Sequence, residues 1–208
     1  HTHGSEGYNE CETDGYYDAS LAVRSEDVTK NVVSVGTSLA EVLNDFGIAT
    51  LQDTTMCDKD SFVRAYKTSA ALVRSYLEQY PSIRFVIDLH RDAIIASDGT
   101  STAPTFSFAG EDTAQLMLVV GTNAAGADHP HWSDNLSLAL HIQKQLSEEY
   151  PGLFRKINLR AASFNEQLSS GYLLLECGSI ANKRSQAERA AKLFGTGLAR
   201  MILCAAQN

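Results

Sequence analysis

The stretch from Ser61 to His90 does most to limit the fold: a helix-spaced apolar stripe, then a proline, then a largely apolar run that ends in charge. Phe62, Ala65, Tyr66, Ser69, Leu72, Val73, Tyr76 and Leu77 form one face, which predicts a helix over 61–80. Pro81 stops it. Ile83-Arg-Phe-Val-Ile-Asp-Leu-His90 then reads as a strand. The same succession recurs. Val32, Val35, Leu39, Val42 and Leu43 predict a helix over 31–46, closed by Gly47, with a short strand at 48–51. A strand at 116–120 precedes a helix over 135–150 that ends at Pro151-Gly152, and a buried-type strand at 172–175 precedes a last helix over 185–206. The Gly- and Asp-rich opening, to about residue 26, reads as loop. This alternation predicts an α/β fold: a mixed or mostly parallel central sheet flanked by helices on both faces. The 208 residues, without internal repeat or linker, suit a single domain over 1–208.

Composition narrows the partners. A net charge of −8 with no basic stripe argues against nucleic acid, because phosphate contacts need clustered Lys and Arg. No run of 18 apolar residues offers a membrane span. The first residue already lies inside a motif, so sequence upstream is expected. The four cysteines form no Cys-x-x-Cys pair, which disfavours a structural zinc knuckle. Cys177 and Cys204 lie in apolar stretches and are expected as buried thiols; Cys11 and Cys57 could pair. Gly-x-Ser-x-Gly, the phosphate loop and Gly-x-Gly-x-x-Gly are all missing, leaving serine-hydrolase and nucleotide readings little support.

Four separated groups could instead meet at one metal ion: His3, an acid at Glu26 or Asp27, His90 and Glu176. Two imidazoles and a carboxylate make an open catalytic zinc site, and a further carboxylate beside the zinc-bound water supplies a general base. His90 follows an apolar run and has Asp88 and Asp92 close by as acceptors for its second ring nitrogen. Glu176 ends Leu173-Leu174-Leu175, where a carboxylate must be paired, protonated or bound. His1 competes with His3, since residues two apart in an extended segment point the same way. From composition, Glu26 and Asp27 are better explained as acids favouring a helix N-terminus. His129-Pro-His131-Trp132 suggests a substrate wall with Trp132 as a stacking surface, and Asn165 within Ser163-Phe-Asn-Glu-Gln167 suggests hydrogen bonding to amides.

Taken in order, Thr2-His-Gly-Ser-Glu-Gly-Tyr8, Arg24-Ser25, Asn31-Val-Val-Ser-Val-Gly36, Ile87-Asp-Leu-His-Arg-Asp-Ala93, Val120-Gly-Thr-Asn123, His129-Pro, Trp132, Pro151-Gly-Leu153 and Leu175-Glu-Cys-Gly-Ser179 with Asn182 resemble the stage II sporulation protein P family. The resemblance runs through nearly the whole chain. It implies an amidase-like fold and a zinc-dependent (Zn2+) N-acetylmuramoyl-L-alanine amidase. Such an enzyme hydrolyses peptidoglycan during forespore engulfment and is also credited with cross-link endopeptidase activity. The resemblance further implies an extracytoplasmic site between the mother-cell and forespore membranes, an N-terminal membrane anchor that this chain lacks, and stage II sporulation protein D, a lytic transglycosylase, as partner. Carried over, it makes His3 and His90 the zinc histidines and Glu176 the catalytic glutamate. It favours Asp27 as the carboxylate ligand, because Asp27 stands four residues before Asn31. Arg91 would assist the oxyanion, and His129, Trp132 and Asn165 would meet substrate. The competing expectations are a zinc peptidase without amidase activity, a catalytically dead wall-binding scaffold, and a flavodoxin-like domain in which these histidines do not meet.

Overall fold

The computed structural model describes residues 1–9 and 23–207. A four-stranded sheet runs in the order β1-β6-β4-β5, made of Val86–Asp92, Tyr172–Ser179, Leu116–Gly121 and Asn158–Arg160. β1 pairs with β6 in parallel and β4 with β5 in parallel, while β4 and β6 run antiparallel. A separate hairpin joins β2 (Thr105–Phe108) to β3 (Glu111–Ala114). The helices are α1 (Val32–Asp45), α2 (Ala65–Gln79), α3 (Trp132–Glu149) and α4 (Arg184–Ala205). Among the described residues, no helix is long and apolar enough to cross a membrane.

Strand periodicity sorts the two faces. Leu89, Leu116, Leu118, Val120, Leu173 and Leu175 point one way and share a core with Val35 and Leu39 of α1, Ile142 and Leu146 of α3, and Phe194 and Leu198 of α4. Leu116, Leu118, Leu173 and Leu175 are no more than 2% exposed, so each contributes roughly 1.5–3 kcal/mol of hydrophobic burial. The other face carries Asp88 and His90 of β1 beside Leu174 and Glu176 of β6, with Met117 and Val119 of β4 next to them. Here Met117, Val119 and Leu174 pack with Phe164, and α2 supplies the cover. The polar chemistry therefore sits on the face that carries one helix rather than three.

Local signals explain most boundaries. Asn31 caps α1, its Oδ1 accepting the Val33 N–H at 2.9 Å, and Gly47 leaves the helix at φ +79°. The expected helix at 61–80 begins as a 3-10 turn, Phe62–Arg64, before α2 takes over. The segment 48–51 is not a strand: the Thr50 N–H bonds to Asn44 Oδ1, so α1's own C-terminus claims the backbone. The β2–β3 hairpin was missed from sequence because its two-residue turn is Ala109-Gly110, both at positive φ, and alanine gives no turn signal. At Gly171 the chain passes so close to Arg84 that an added Cβ would lie 2.0 Å from its carbonyl oxygen.

Candidate active site

The first nine residues lie across the carboxyl half of β1 and are held there by buried acids. The Thr2 N–H donates to Asp88 Oδ1 at 2.8 Å and its hydroxyl to Oδ2 at 2.5 Å. Asp58 receives the Ser5 N–H at 3.2 Å, the Ser5 hydroxyl at 2.5 Å and the Arg24 guanidinium at 2.6 Å. Between these anchors the chain turns, with the Glu6 N–H bonded to the His3 carbonyl at 3.0 Å, so the two side chains emerge together.

His3, Glu6 and His90 are all buried, and each offers one ligand atom within 4.8 Å of the others. His3 Nδ1 lies 3.8 Å from Glu6 Oε1, and His90 Nδ1 lies 3.5 Å from Glu6 Oε2. The Arg91 backbone N–H donates to that same Oε2 at 3.0 Å and fixes the carboxylate. On the far side of the ring, His90 Nε2 approaches Asp88 Oδ2 to 3.3 Å, giving the histidine the carboxylate acceptor expected of a metal ligand. Burial and the neighbouring His90 lower the His3 pKa, which keeps the ring neutral and its lone pair free. Burial alone would lower His90 too, but Asp88 and Glu6 outweigh it and raise its affinity for a proton or another cation. Burial pushes Glu6 up; His90 and Arg91 overcome this and leave it below the usual carboxylate range. Two imidazoles and one ionised carboxylate, buried and convergent, fit a zinc ion.

Glu176 stands directly opposite His90 in the β1–β6 register. Its Oε2 is buried without a hydrogen-bond partner, and burial pushes the carboxyl up to about 8, against the opposing pull of His90. A carboxyl of that kind beside a metal site is suited to proton transfer near neutral pH.

The structure brings His3 and His90 together, sets Glu176 beside His90, and adds Glu6, which sequence reading did not single out. The available signal was the His3-Gly-Ser-Glu6 spacing, which a single turn converts into adjacency. Asp27 does not join them. It lies exposed in a turn, where its carboxylate accepts from the Thr29 N–H at 3.0 Å and faces Lys30 at 3.6 Å. Glu26 pairs with Lys59 at 2.9 Å, also on the surface. His1 is not one of the three: its Nδ1 lies 3.3 Å from the Leu89 carbonyl oxygen and its ring lies against Gly36 of α1.

The Arg91 guanidinium is committed elsewhere: Nε donates to the Gly7 carbonyl and Nη2 to the Val23 carbonyl, both at 2.7 Å. Strand alternation turns it away from His90, so it tethers loops rather than facing an oxyanion. Asp92, expected as an acceptor for His90, pairs instead with Arg155 at 2.8 Å. His129 is not an open substrate wall. It is buried at the carboxyl end of β4, its Nε2 3.5 Å from Glu166 Oε2, which also accepts the Gly121 N–H at 2.6 Å. Because β4 opposes β6, that end of the sheet lies away from Glu176, and Trp132 opens α3 on the same side. Asn165 is also buried, at φ +65°, and spends its amide on the Tyr66 carbonyl at 2.9 Å. Of the cysteines, Cys57 and Cys177 are buried, Cys204 is exposed rather than buried, and Cys11 lies outside the described residues.

Comparison with known proteins gives the family and the fold. The family model described as Stage II sporulation protein P matches residues 1–200. The stage II sporulation protein P of Bacillus subtilis (strain 168) is 28% identical over 202 residues, which cover 92% of this chain and 47% of that protein. The chain thus spans about half the length of the curated relative it matches. Among solved structures, the N-acetylmuramyl-L-alanine amidase Ami1 from Mycobacterium smegmatis is similar at a TM-score of 0.51, with 96% of this chain and 94% of that one covered and 12% identity. At that identity the likeness is one of fold.

Proposed function

The chain belongs to the stage II sporulation protein P family, and from that premise we propose that it is a zinc-dependent N-acetylmuramoyl-L-alanine amidase that hydrolyses peptidoglycan during forespore engulfment. The observation that carries this reading is the convergence of His3, Glu6 and His90 beside Glu176, whose Oε2 is buried without a hydrogen-bond partner. In it, Glu6 takes the ligand position that the family resemblance had suggested for Asp27. A zinc ion held by His3, Glu6 and His90 would supply Lewis acidity and a water of lowered pKa.

The protein's own groups do the rest. Asp88 orients His90 through Nε2, and the Arg91 N–H orients Glu6. Glu176 accepts the proton of the attacking water as the lactyl–L-alanine amide is hydrolysed, then returns it to the departing alanyl amine. Its position on a sheet strand rather than a loop keeps the carboxyl at a fixed place for both transfers. Cleavage of peptide cross-links would need the same groups and a different bond in reach. Stage II sporulation protein D, which would cut the glycan, is the proposed partner.

The test is digestion of purified peptidoglycan with the zinc-loaded protein beside Glu176→Gln, with products identified by mass spectrometry. Free stem peptides and bare lactyl ends are expected from the unaltered protein; split cross-links would add the endopeptidase. Glu176→Gln should keep its zinc and lose about 10²–10⁴-fold in turnover. Unchanged turnover in that variant removes Glu176 from the chemistry, and intact peptidoglycan after incubation with zinc-loaded wild type removes the amidase reading.

A further inference from the structure

With Arg91 turned away, the acyl-transfer chemistry proposed above lacks a side-chain donor for the amide oxygen, and the helix-spaced stripe of α2 supplies a candidate. Tyr66 projects from the first turn of α2 onto the two histidines. Its ring centroid lies 5.3 Å from that of His3, edge to face, and 6.4 Å from that of His90, stacked at 20°. Phe164 backs the ring at 5.9 Å, and Asn165 Nδ2 holds the Tyr66 carbonyl at 2.9 Å, so both side chain and backbone are fixed. The ring is half-buried. Of the hydroxyls around the cluster, those of Thr2 and Ser5 are spent on Asp88 and Asp58. The Tyr66 hydroxyl has no hydrogen-bond partner among the described residues.

The geometry points to Tyr66 as a further catalytic residue, whose hydroxyl donates a hydrogen bond to the scissile carbonyl oxygen as that oxygen becomes an oxyanion. No bond is made or broken at the phenol; it strengthens one hydrogen bond in the transition state. This role rests on the amidase reading and on the same site.

Tyr66→Phe is the decisive variant because it keeps the ring contacts and removes one oxygen. It should retain zinc stoichiometry, leave KM within a few-fold, and lower kcat by about 10²–10³-fold on a purified glycan–stem-peptide substrate. A second readout needs no turnover. A phosphinate analogue of the muramoyl–alanine linkage, titrated calorimetrically into zinc-loaded protein, should bind Tyr66→Phe more weakly by about the same factor. Wild-type kcat in Tyr66→Phe, or equal phosphinate affinity in the two proteins, overturns the role and leaves the amidase reading standing. A zinc-loaded wild type that releases no stem peptide overturns the amidase reading and this role with it.

Discussion

Replacing Glu166 by Gln should make the protein's stability less dependent on pH, and the size of the effect follows from where the carboxyl sits. Glu166 is buried, with Oε2 accepting the Gly121 N–H at 2.6 Å and Oε1 lacking any partner. Burial, against the pull of that N–H and with the help of Asp88, pushes its pKa from 4.5 up to about 8. The folded state therefore keeps a proton that the unfolded chain gives up from pH 4.5 onward. Stability from this residue is fully present below pH 4.5 and falls as pH rises, levelling off above 8. At about 1.4 kcal/mol per unit, the loss between pH 5 and pH 8 is on the order of 3–4 kcal/mol. Gln cannot ionise, and its amide oxygen can still accept from Gly121. Urea unfolding of both proteins, metal-free, at pH 5 and pH 8 measures the difference directly. The stability of Glu166→Gln relative to wild type should rise by about 3 kcal/mol across that interval. A relative stability that stays constant with pH would show that Glu166 is ionised in the folded protein and that water or a cation reaches its carboxyl.

Three further outcomes check the site and its supports. Glu6→Ala should lose bound zinc, measured as metal content after gel filtration, whereas Asp27→Ala should keep one zinc per chain; the reverse pattern would restore Asp27 as the ligand. Asp88→Asn should weaken zinc binding by about 10–100-fold in a competition titration, because it removes the acceptor that orients His90, and wild-type affinity would show that His90 is held by packing alone. Gly171→Ala should cost about 3 kcal/mol and lower Tm by about 10 °C, because its Cβ would meet the Arg84 carbonyl at 2.0 Å; an unchanged Tm in calorimetry would mean that the two strands part there without strain.

The helices and strands were legible where one period dominated. The stripes of α1 and α2 and the apolar runs of β1 and β6 follow from local spacing alone. The direction of β4 against β6 did not, because strand polarity is decided by connections and packing rather than by any one segment. Of the site, His90 and Glu176 were legible because a charged group interrupts an apolar strand and must be used. Glu6 was not, because its nearness to His3 depends on a turn anchored by Asp58 and Asp88, residues more than 50 positions away. Asp27 misled through its four-residue spacing to Asn31, but Asn31 serves as a helix cap and Asp27 turns to Thr29 and Lys30. Arg91 misled through adjacency, since neighbours on a strand point to opposite faces. Tyr66 could be read as a helix-face residue, yet nothing local distinguishes a core tyrosine from one lying across two histidines.

His90 and Glu176 occupy one rung of a parallel ladder, so the separation of the proposed zinc ligand from the proposed proton-transfer group starts from the spacing of two hydrogen-bonded backbones, about 4.8 Å. That spacing is a property of the peptide unit, which no side-chain substitution in the surrounding loops can lengthen or shorten. A slip of one residue between β1 and β6 would send one of the two groups to the opposite face, so the pairing has no intermediate settings. Within such an arrangement, gradual change in activity or preference has to come from the movable surroundings, such as the turn that carries His3 and Glu6, the first turn of α2 and the segment around Phe164. The sheet contributes the one dimension that stays constant.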